Sequence, residues 1–246
     1  MPEVPSYFYF LLFLAAFLYS AVGHGGASAY IALMSLFGFA PDFIRPAALI
    51  MNLGVSALAF FHFRREGHFN KNIFIPLALA SIPASFAGGL LVPDDHTYKF
   101  ILGILLIFPV IQLSGLFPLK RTGQERKSNV WILLISGLVI GFLSGLIGIG
   151  GGILLSPLLL LFGWANVKQT AAVSSLFIFV NSLSGMAGQL ITGFDMEFSI
   201  IVMLGSVLVG GFAGAYLGSV KWRKPVLEKL LAMVLLIASV KLLGTG

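Results

Sequence analysis

Apolar runs of about 20 residues recur along the whole of this 246-residue chain, and each is long enough to cross a bilayer as a helix. In lipid every backbone N–H and C=O must find a partner within the protein, so only helices and closed barrels can span it. The charged fraction is 10%, whereas a soluble domain carries about 25% charged residues. The chain is therefore predicted to be an all-α polytopic membrane protein.

Eight long segments and two short ones are predicted. The long segments cover residues 7–22, 42–63, 72–91, 97–116, 129–147, 167–191, 196–219 and 225–243. The short segments, 27–38 and 152–163, each follow a cluster of glycines. Twelve helical residues reach about 18 Å, well short of a hydrocarbon core of about 30 Å, so the short segments are expected to be half-helices. The first long segment has no basic start and no cleavage pattern, so we interpret it as a retained crossing.

An internal repeat organises these segments. "VGHGGASAYIALMSLFGFA", which starts at Val22, matches "IGIGGGILLSPLLLLFGWA", which starts 125 positions later at Ile147. "SFAGG" at 85–89 matches "GFAGA" at 211–215, an offset of 126. The pattern predicts a first transmembrane repeat over 1–119, a polar cytoplasmic linker over 120–128 and a second repeat over 129–246.

The loop charges indicate the relative direction of the two repeats. The loop after segment 42–63 is basic and its partner in the second repeat is acidic, while the loop before segment 97–116 is acidic and its partner is basic. By the positive-inside rule, matching loops then face opposite sides, which is the inverted repeat of many secondary transporters. This plan requires five crossings in each half and both termini outside. If the short segments are re-entrant loops, four plus four parallel crossings remain as the alternative.

Composition excludes several classes of function. The chain has no cysteine, which rules out disulfides and thiolate chemistry, and no soluble domain remains outside the apolar segments. The net charge of +6 comes from basic residues in short loops, so we expect it to set orientation in the bilayer and not to bind nucleic acid. No Ser–His–acid set can be assembled at membrane depth. We therefore expect no enzyme, no cofactor and no bound metal.

The glycine clusters predict an anion site. A half-helix that begins after glycines presents unpaired N–H groups and the positive end of its dipole, which favours anions. Two such ends at matching repeat positions suggest one site near the midplane, although tight helix packing also explains glycines. The predicted substrate-binding residues are Gly25, Gly26, Ser28, Asn52, Gly150, Gly151, Gly152, Ser175 and Asn181.

The distribution of charges favours an anion over a cation as the substrate. All nine acidic residues fall in loops or at segment ends, whereas cation carriers keep a carboxylate at membrane depth. We also expect no buried Lys or Arg. Arg45 and Lys168 lie at the mouths of long segments, where they either attract anions electrostatically or, as is more usual, extend their side chains to water. His24 is the one titratable group expected at membrane depth, where it either couples a proton to the anion or is a hydrogen-bonded structural residue.

At these motifs the sequence resembles the TauE/SafE family of sulfite exporters, also called the toluene sulfonate uptake permease family. "GFLSGLIGIGGGILLSPLLLLFGW" followed by "NSLSG" resembles its signature, and "AVGHGGASAYIALMSLFGFAP" with "RPAALIMN" and "GHF" is similar to one branch. The resemblance implies a permease of the bacterial inner membrane for sulfite, thiosulfate or organosulfonates. A carrier of another small anion such as a carboxylate, and a non-transporting membrane subunit, are the alternatives. Import or export, a coupled proton and a homodimer are left open.

Overall fold

The computed structural model describes residues 4–21, 23–114, 126–193, 197–220 and 225–245. Within these ranges it contains ten α-helices: α1 Tyr7–Ser20, α2 Ala27–Leu36, α3 Pro41–Arg65, α4 Lys71–Leu90, α5 Asp95–Ser114, α6 Val130–Ile147, α7 Gly152–Leu161, α8 Val167–Thr192, α9 Phe198–Val220 and α10 Pro225–Thr245. Each predicted segment corresponds to one helix with ends that differ by two residues at most. The molecule is a polytopic helical membrane protein.

Five helices in the described ranges are long and apolar enough to cross a membrane: α3, α4, α6, α8 and the first 20 residues of α9. The helix α1 differs from its prediction. It was expected as a full crossing over 7–22, but it ends at Ser20 after 14 residues, or about 21 Å. Its last turn therefore ends inside the protein, and the chain continues into the buried glycines before α2.

The helices that flank each glycine break fold back on one another as hairpins. At the start of α1, the ring of Phe8 contacts that of Phe37, just after α2, with 4.9 Å between centroids. At the second break, the N–H of Arg126, just before α6, donates to the carbonyl of Gly163, just after α7, at 2.8 Å. In both hairpins the chain thus enters and leaves at the same end, and the break lies at the tip.

Helices cross closely where glycines face backbone carbonyls. A Cβ placed on Gly88 of α4 would collide with the carbonyl oxygen of Phe142 in α6, and a Cβ on Gly214 of α9 would collide with that of Phe17 in α1. Gly88 and Gly214 are 126 positions apart, and Phe17 and Phe142 are 125 apart. The same crossing therefore occurs twice, each time between a helix of one half and a helix of the other.

Gly214→Ala is expected to destabilise the protein by about 1–3 kcal/mol, the usual range for overpacking, because the methyl group would force α9 away from α1. The matched control is Gly205→Ala in the same helix, where a Cβ meets no atom within 4 Å. Alanine there should raise stability slightly through helix propensity. Thermal unfolding in detergent measures both variants, and equal midpoints for the two would contradict the close crossing.

The helices α3 and α8 lie side by side at the centre and run in opposite directions. Near the start of α3, Arg45 lines the same cavity as Gln189 near the end of α8. One turn further along, Leu49 lies 3.7 Å from the position of a Cβ on Gly185. Residue numbers increase along α3 in the direction in which they decrease along α8, so the two helices are antiparallel. The two helices begin 126 positions apart, which agrees with the offsets of 125 and 126 of the repeated sequence motifs.

Candidate functional site

Two glycine breaks form the tips of the hairpins, and both are buried. Gly26 caps the start of α2 with φ +90°, and Gly151 caps the start of α7 with φ +78°. Residues with a Cβ rarely adopt these angles, so glycine is required at both positions. No side chain of the capping residue itself bonds to the first turn of either helix. Glycine has no side chain with which to cap a helix, so the first-turn N–H groups need partners from elsewhere in the protein.

Asn52, in the middle of α3, joins the two breaks. Its Oδ1 accepts from the N–H of Ala27, the first residue of α2, at 3.1 Å. Its Nδ2 donates to the carbonyl of Ile149, in the loop before α7, also at 3.1 Å. The side chain is fully buried. One amide thus holds the broken segment of each repeat, and its own backbone carbonyl accepts from Ser56 Oγ at 2.6 Å.

Ile178 of α8 lies opposite Asn52 at the place where the two glycine breaks meet, which is called the glycine crossing below. A Cβ on Gly25 would meet the Asn52 amide and would come within 3.0 Å of Ile178 Cγ2. A Cβ on Gly150 would again meet the Asn52 amide and would lie 2.9 Å from Ile178 Cγ2. Gly25 and Gly150 are 125 positions apart, and Asn52 and Ile178 are 126 apart. The crossing thus pairs equivalent positions of the repeats, with a polar residue on one side and an apolar one on the other.

The donors of the two breaks can bind an anion. The N–H of Ala27 is taken by Asn52, whereas the N–H groups of Gly25, Gly26, Gly151 and Gly152 find no acceptor in the part of the chain that the structure describes. They lie at the positive ends of two helix dipoles. Helix N-termini with free N–H groups bind oxyanions without a cationic side chain. The arrangement is closed, because both glycine clusters are buried.

Around the first break, tyrosines supply contacts that the sequence analysis missed. Ser28 Oγ donates to the Tyr19 hydroxyl at 2.9 Å, and the Tyr30 hydroxyl donates to the carbonyl of Gly25 at 2.8 Å. The His24 ring packs edge-on against Tyr19, with 6.2 Å between centroids. Tyrosine near a segment end usually indicates the membrane interface. Tyr19 and Tyr30 differ from tyrosines at the membrane interface because they lie close to the glycine cluster 23–26 in the sequence.

Other predicted site residues lie apart from the crossing. The Nδ2 of Asn181 donates to Ser81 Oγ of α4 at 3.0 Å and to the carbonyl of Phe177 at 2.8 Å, so its side chain joins α8 to α4. Ser175 Oγ donates to the carbonyl of Ala172 within α8 at 3.0 Å. By contrast, Ser182 lies 3.0 Å from the position of a Cβ on Gly150, and its buried hydroxyl has no partner within the described ranges. Ser182 thus approaches the second break more closely than Asn181 does.

The expectation that no arginine is buried is wrong. Arg45 is 4% exposed, and its Nη2 donates to the carbonyl of Leu91 at 2.7 Å, just beyond the end of α4. The side chain does not extend to water as expected, because its bond to the Leu91 carbonyl holds it beside a cavity at the start of α3. Lys168 is exposed, as expected for a residue at a segment mouth.

The fold and this site together define a class: a multi-pass helical membrane protein whose two half-length helices begin at buried glycines that one central side chain holds together. Residues 8–242 match the family described as sulfite exporter TauE/SafE. The chain belongs to that family, which is a family of membrane transporters and not of enzymes.

Individual relatives agree with this assignment. The chain is 34% identical to the probable membrane transporter protein y4hK of Sinorhizobium fredii over 235 residues. The matched region covers 94% of this chain and 95% of the relative. It is 27% identical to the probable membrane transporter protein YdhB of Bacillus subtilis, over 85% of this chain and 86% of the relative. The sulfite exporter TauE/SafE family protein 1 of Arabidopsis thaliana is 40% identical over 67 residues, which are 27% of this chain and 15% of the relative. No solved structure matches the chain.

Proposed function

We propose that this protein is a secondary transporter that moves small sulfur-containing anions, such as sulfite, thiosulfate or organosulfonates, across the bacterial inner membrane by alternating access. The observation that carries the proposal is the position of Asn52, which bonds to both glycine breaks at 3.1 Å. A side chain shared by two broken helices near the centre of a membrane protein lies where secondary transporters bind their substrates. The sulfur chemistry comes from the family.

The proposed cycle uses an inverted repeat of two five-segment halves, 1–119 and 129–246, joined by the linker 120–128. Three observations support it: the opposite charge of matching loops, the antiparallel α3 and α8, and the crossing of α4 with α6 that is repeated by α9 with α1. With a two-fold relation of this kind, the outward-facing state becomes the inward-facing state when the two halves exchange conformations. In this plan the buried crossing around Asn52 is the occluded state.

In the proposed site the anion accepts hydrogen bonds from backbone N–H groups of both breaks. Gly25 and Gly26 would donate from the first, and Gly150, Gly151 and Gly152 from the second. Asn52 positions both loops and presents an amide to the anion, while Ser28 and Ser182 add hydroxyls. His24, 8% exposed beside Gly25, is the residue proposed to couple a proton. Asn181 and Ser175 would act from α8 without touching the breaks.

Flux measurements on the purified protein in proteoliposomes test this function. We expect uptake of radiolabelled sulfite or thiosulfate that unlabelled sulfite inhibits and that sulfate and acetate inhibit less. Inhibition by acetate alone would favour the alternative, a carboxylate carrier. Absence of flux for every anion, from a protein with a cooperative unfolding transition, would favour the other alternative, a non-transporting membrane subunit.

The sidedness of the termini tests the topology. We expect both termini outside the inner membrane, because the acidic loops before α5 and before α9 would be outside and the basic linker inside. A periplasm-active reporter such as alkaline phosphatase should be active at either terminus, and a cytoplasm-active fluorescent protein should be dark at both. A reporter on the linker at Gln124 is the internal control with the opposite result. Termini on opposite sides would contradict two inverted halves.

A further inference from the structure

The guanidinium of Arg45 is buried, and its acidic neighbour Asp42 acts on it from the first turn of α3 without bonding to it. Its exposed fraction is 4%, its Nη2 bonds to the Leu91 carbonyl, and its Nε has no partner. Across the ranges that the structure describes, Arg45 forms no ion pair. Arginine remains protonated in proteins, so the charge persists. A buried charge is tolerated when it is paired, and ionisable residues within transmembrane segments usually mark a substrate path.

Arg45 lines a cavity of about 450 Å³ between the start of α3 and the end of α8. The first turn of α3 opens into the same space, and its N-cap residue, Ala40, supplies no side-chain hydrogen bond. Pro41 carries no N–H and the N–H of Phe43 donates to the Ala40 carbonyl, so the N–H of Asp42 is the first-turn donor left without an acceptor in the described ranges. This donor and the positive end of the helix dipole face the cavity together with the guanidinium. Asp42 and Glu197, the acidic residues of its lining, are exposed to solvent, where their charges are screened. Arg45 is thus the buried charge of the lining.

The cavity and the glycine crossing lie along the same face of α3. Arg45 and Asn52 are seven residues apart, which places them on the same face and separates them by about 10 Å. The backbone of Arg45 also packs against Gly148, at the end of α6, where a Cβ would lie 2.9 Å from the Arg45 carbonyl. Gly148 precedes the second break directly. About two helical turns of α3 separate the cavity from the crossing, and buried side chains such as Leu49 fill the space between them in this state.

We propose that the Arg45 cavity is an oxyanion subsite on one side of the membrane, from which the substrate passes to the glycine crossing. This subsite rests on the proposed transport function. The other half does not repeat it, because the equivalent position is Ala171, which packs against Gly23 as Arg45 packs against Gly148. The two sides of the carrier therefore differ in anion affinity, and the side with α3's first turn binds more tightly.

Nuclear magnetic resonance of the arginine side chains tests the subsite directly. The chain has six arginines, so protein labelled with ¹⁵N at arginine Nε gives a spectrum that can be assigned, with Arg45→Lys identifying the Arg45 signal. Sodium sulfite is titrated at constant ionic strength against sodium gluconate. We expect a saturable shift of the Arg45 signal and no such shift for the exposed Arg64 and Arg65. If the Arg45 signal does not shift with sulfite, or shifts to the same extent as that of Arg64, the subsite is overturned.

Transport kinetics give a second readout. Arg45→Gln is expected to raise the KM for sulfite about tenfold from one side of the proteoliposome, with kcat retained and with Arg45→Lys intermediate. The matched control is Lys168→Gln, which removes a charge from the exposed mouth of α8 and should leave KM unchanged. Wild-type flux with an unaltered KM in Arg45→Gln would reject the subsite and leave the transporter intact. A titrating Arg45 signal with no wild-type flux would instead reject the transport function.

Discussion

Asn52→Asp is expected to abolish anion transport, and it also lowers stability because the new carboxylate is buried beside the Ile149 carbonyl. The carboxylate can accept from the N–H of Ala27 as the amide does, but it cannot donate to the carbonyl of Ile149. It also places a negative charge where the substrate anion binds. At 4 Å and an effective dielectric constant of 20, the repulsion is about 4 kcal/mol, or roughly 1,000-fold in affinity. Sulfite flux in proteoliposomes is the measurement.

The matched control for this prediction is Asn70→Asp. Asn70 is the partly exposed N-cap of α4, where its side chain accepts from the N–H of Asn72 at 3.1 Å, and aspartate caps a helix equally well. The substitution makes the same change of charge away from the crossing, so flux should be unaffected. If both variants lose flux to the same extent, a general effect of charge and not the position of Asn52 explains the loss.

Gly150→Ala is expected to produce the second large effect, a loss of both stability and transport. Gly150 has φ +75°, which costs a residue with a Cβ about 1–2 kcal/mol. The added methyl would also collide with the Asn52 amide and lie 3.0 Å from Ser182 Oγ. Overpacking of this kind adds about 1–3 kcal/mol. Thermal unfolding and sulfite flux, measured on the same preparation, should both decline.

Gly67→Ala separates the two causes. Gly67, after α3, has a similar φ of +77°, but a Cβ there meets no atom within 4 Å. The control therefore carries the backbone penalty without the collision, and it should lower the unfolding midpoint less than Gly150→Ala and retain flux. Equal destabilisation by the two substitutions would show that the crossing at Gly150 is not tightly packed.

The helices could be predicted almost completely from the sequence. Apolar runs between polar or glycine-rich interruptions set helix ends to within two residues, because backbone pairing in lipid leaves few alternatives to a helix. The two half-helices were also predictable, since Gly26 and Gly151 precede them in matching positions of the repeat. The length of α1 was not predictable in the same way. Nothing in the apolar run 7–22 marks Ser20 as the last helical residue.

The contacts of the site were less predictable, because they depend on which helix faces which. Asn52 was a candidate, but its bonds to Ala27 and Ile149 span 25 and 97 positions of sequence. Asn181 looked equally suitable in the sequence, yet it faces Ser81 of α4. Arg45 was placed at a mouth because it lies near a helix start. Only the packing of α3 beside α8 shows that its side chain is enclosed.

Binding of sulfite to the purified protein tests the central claim most directly, namely that the crossing held by Asn52 is an anion site. Thermal-shift titration compares wild type with Asn52→Asp and Asn70→Asp in sulfite, sulfate and acetate. A ligand at 100 times its Kd stabilises the folded state by about 2.7 kcal/mol. We predict saturable stabilisation of wild type and Asn70→Asp by sulfite, and none of Asn52→Asp. Equal stabilisation of all three proteins, or of none at millimolar sulfite, would contradict the anion site at the crossing.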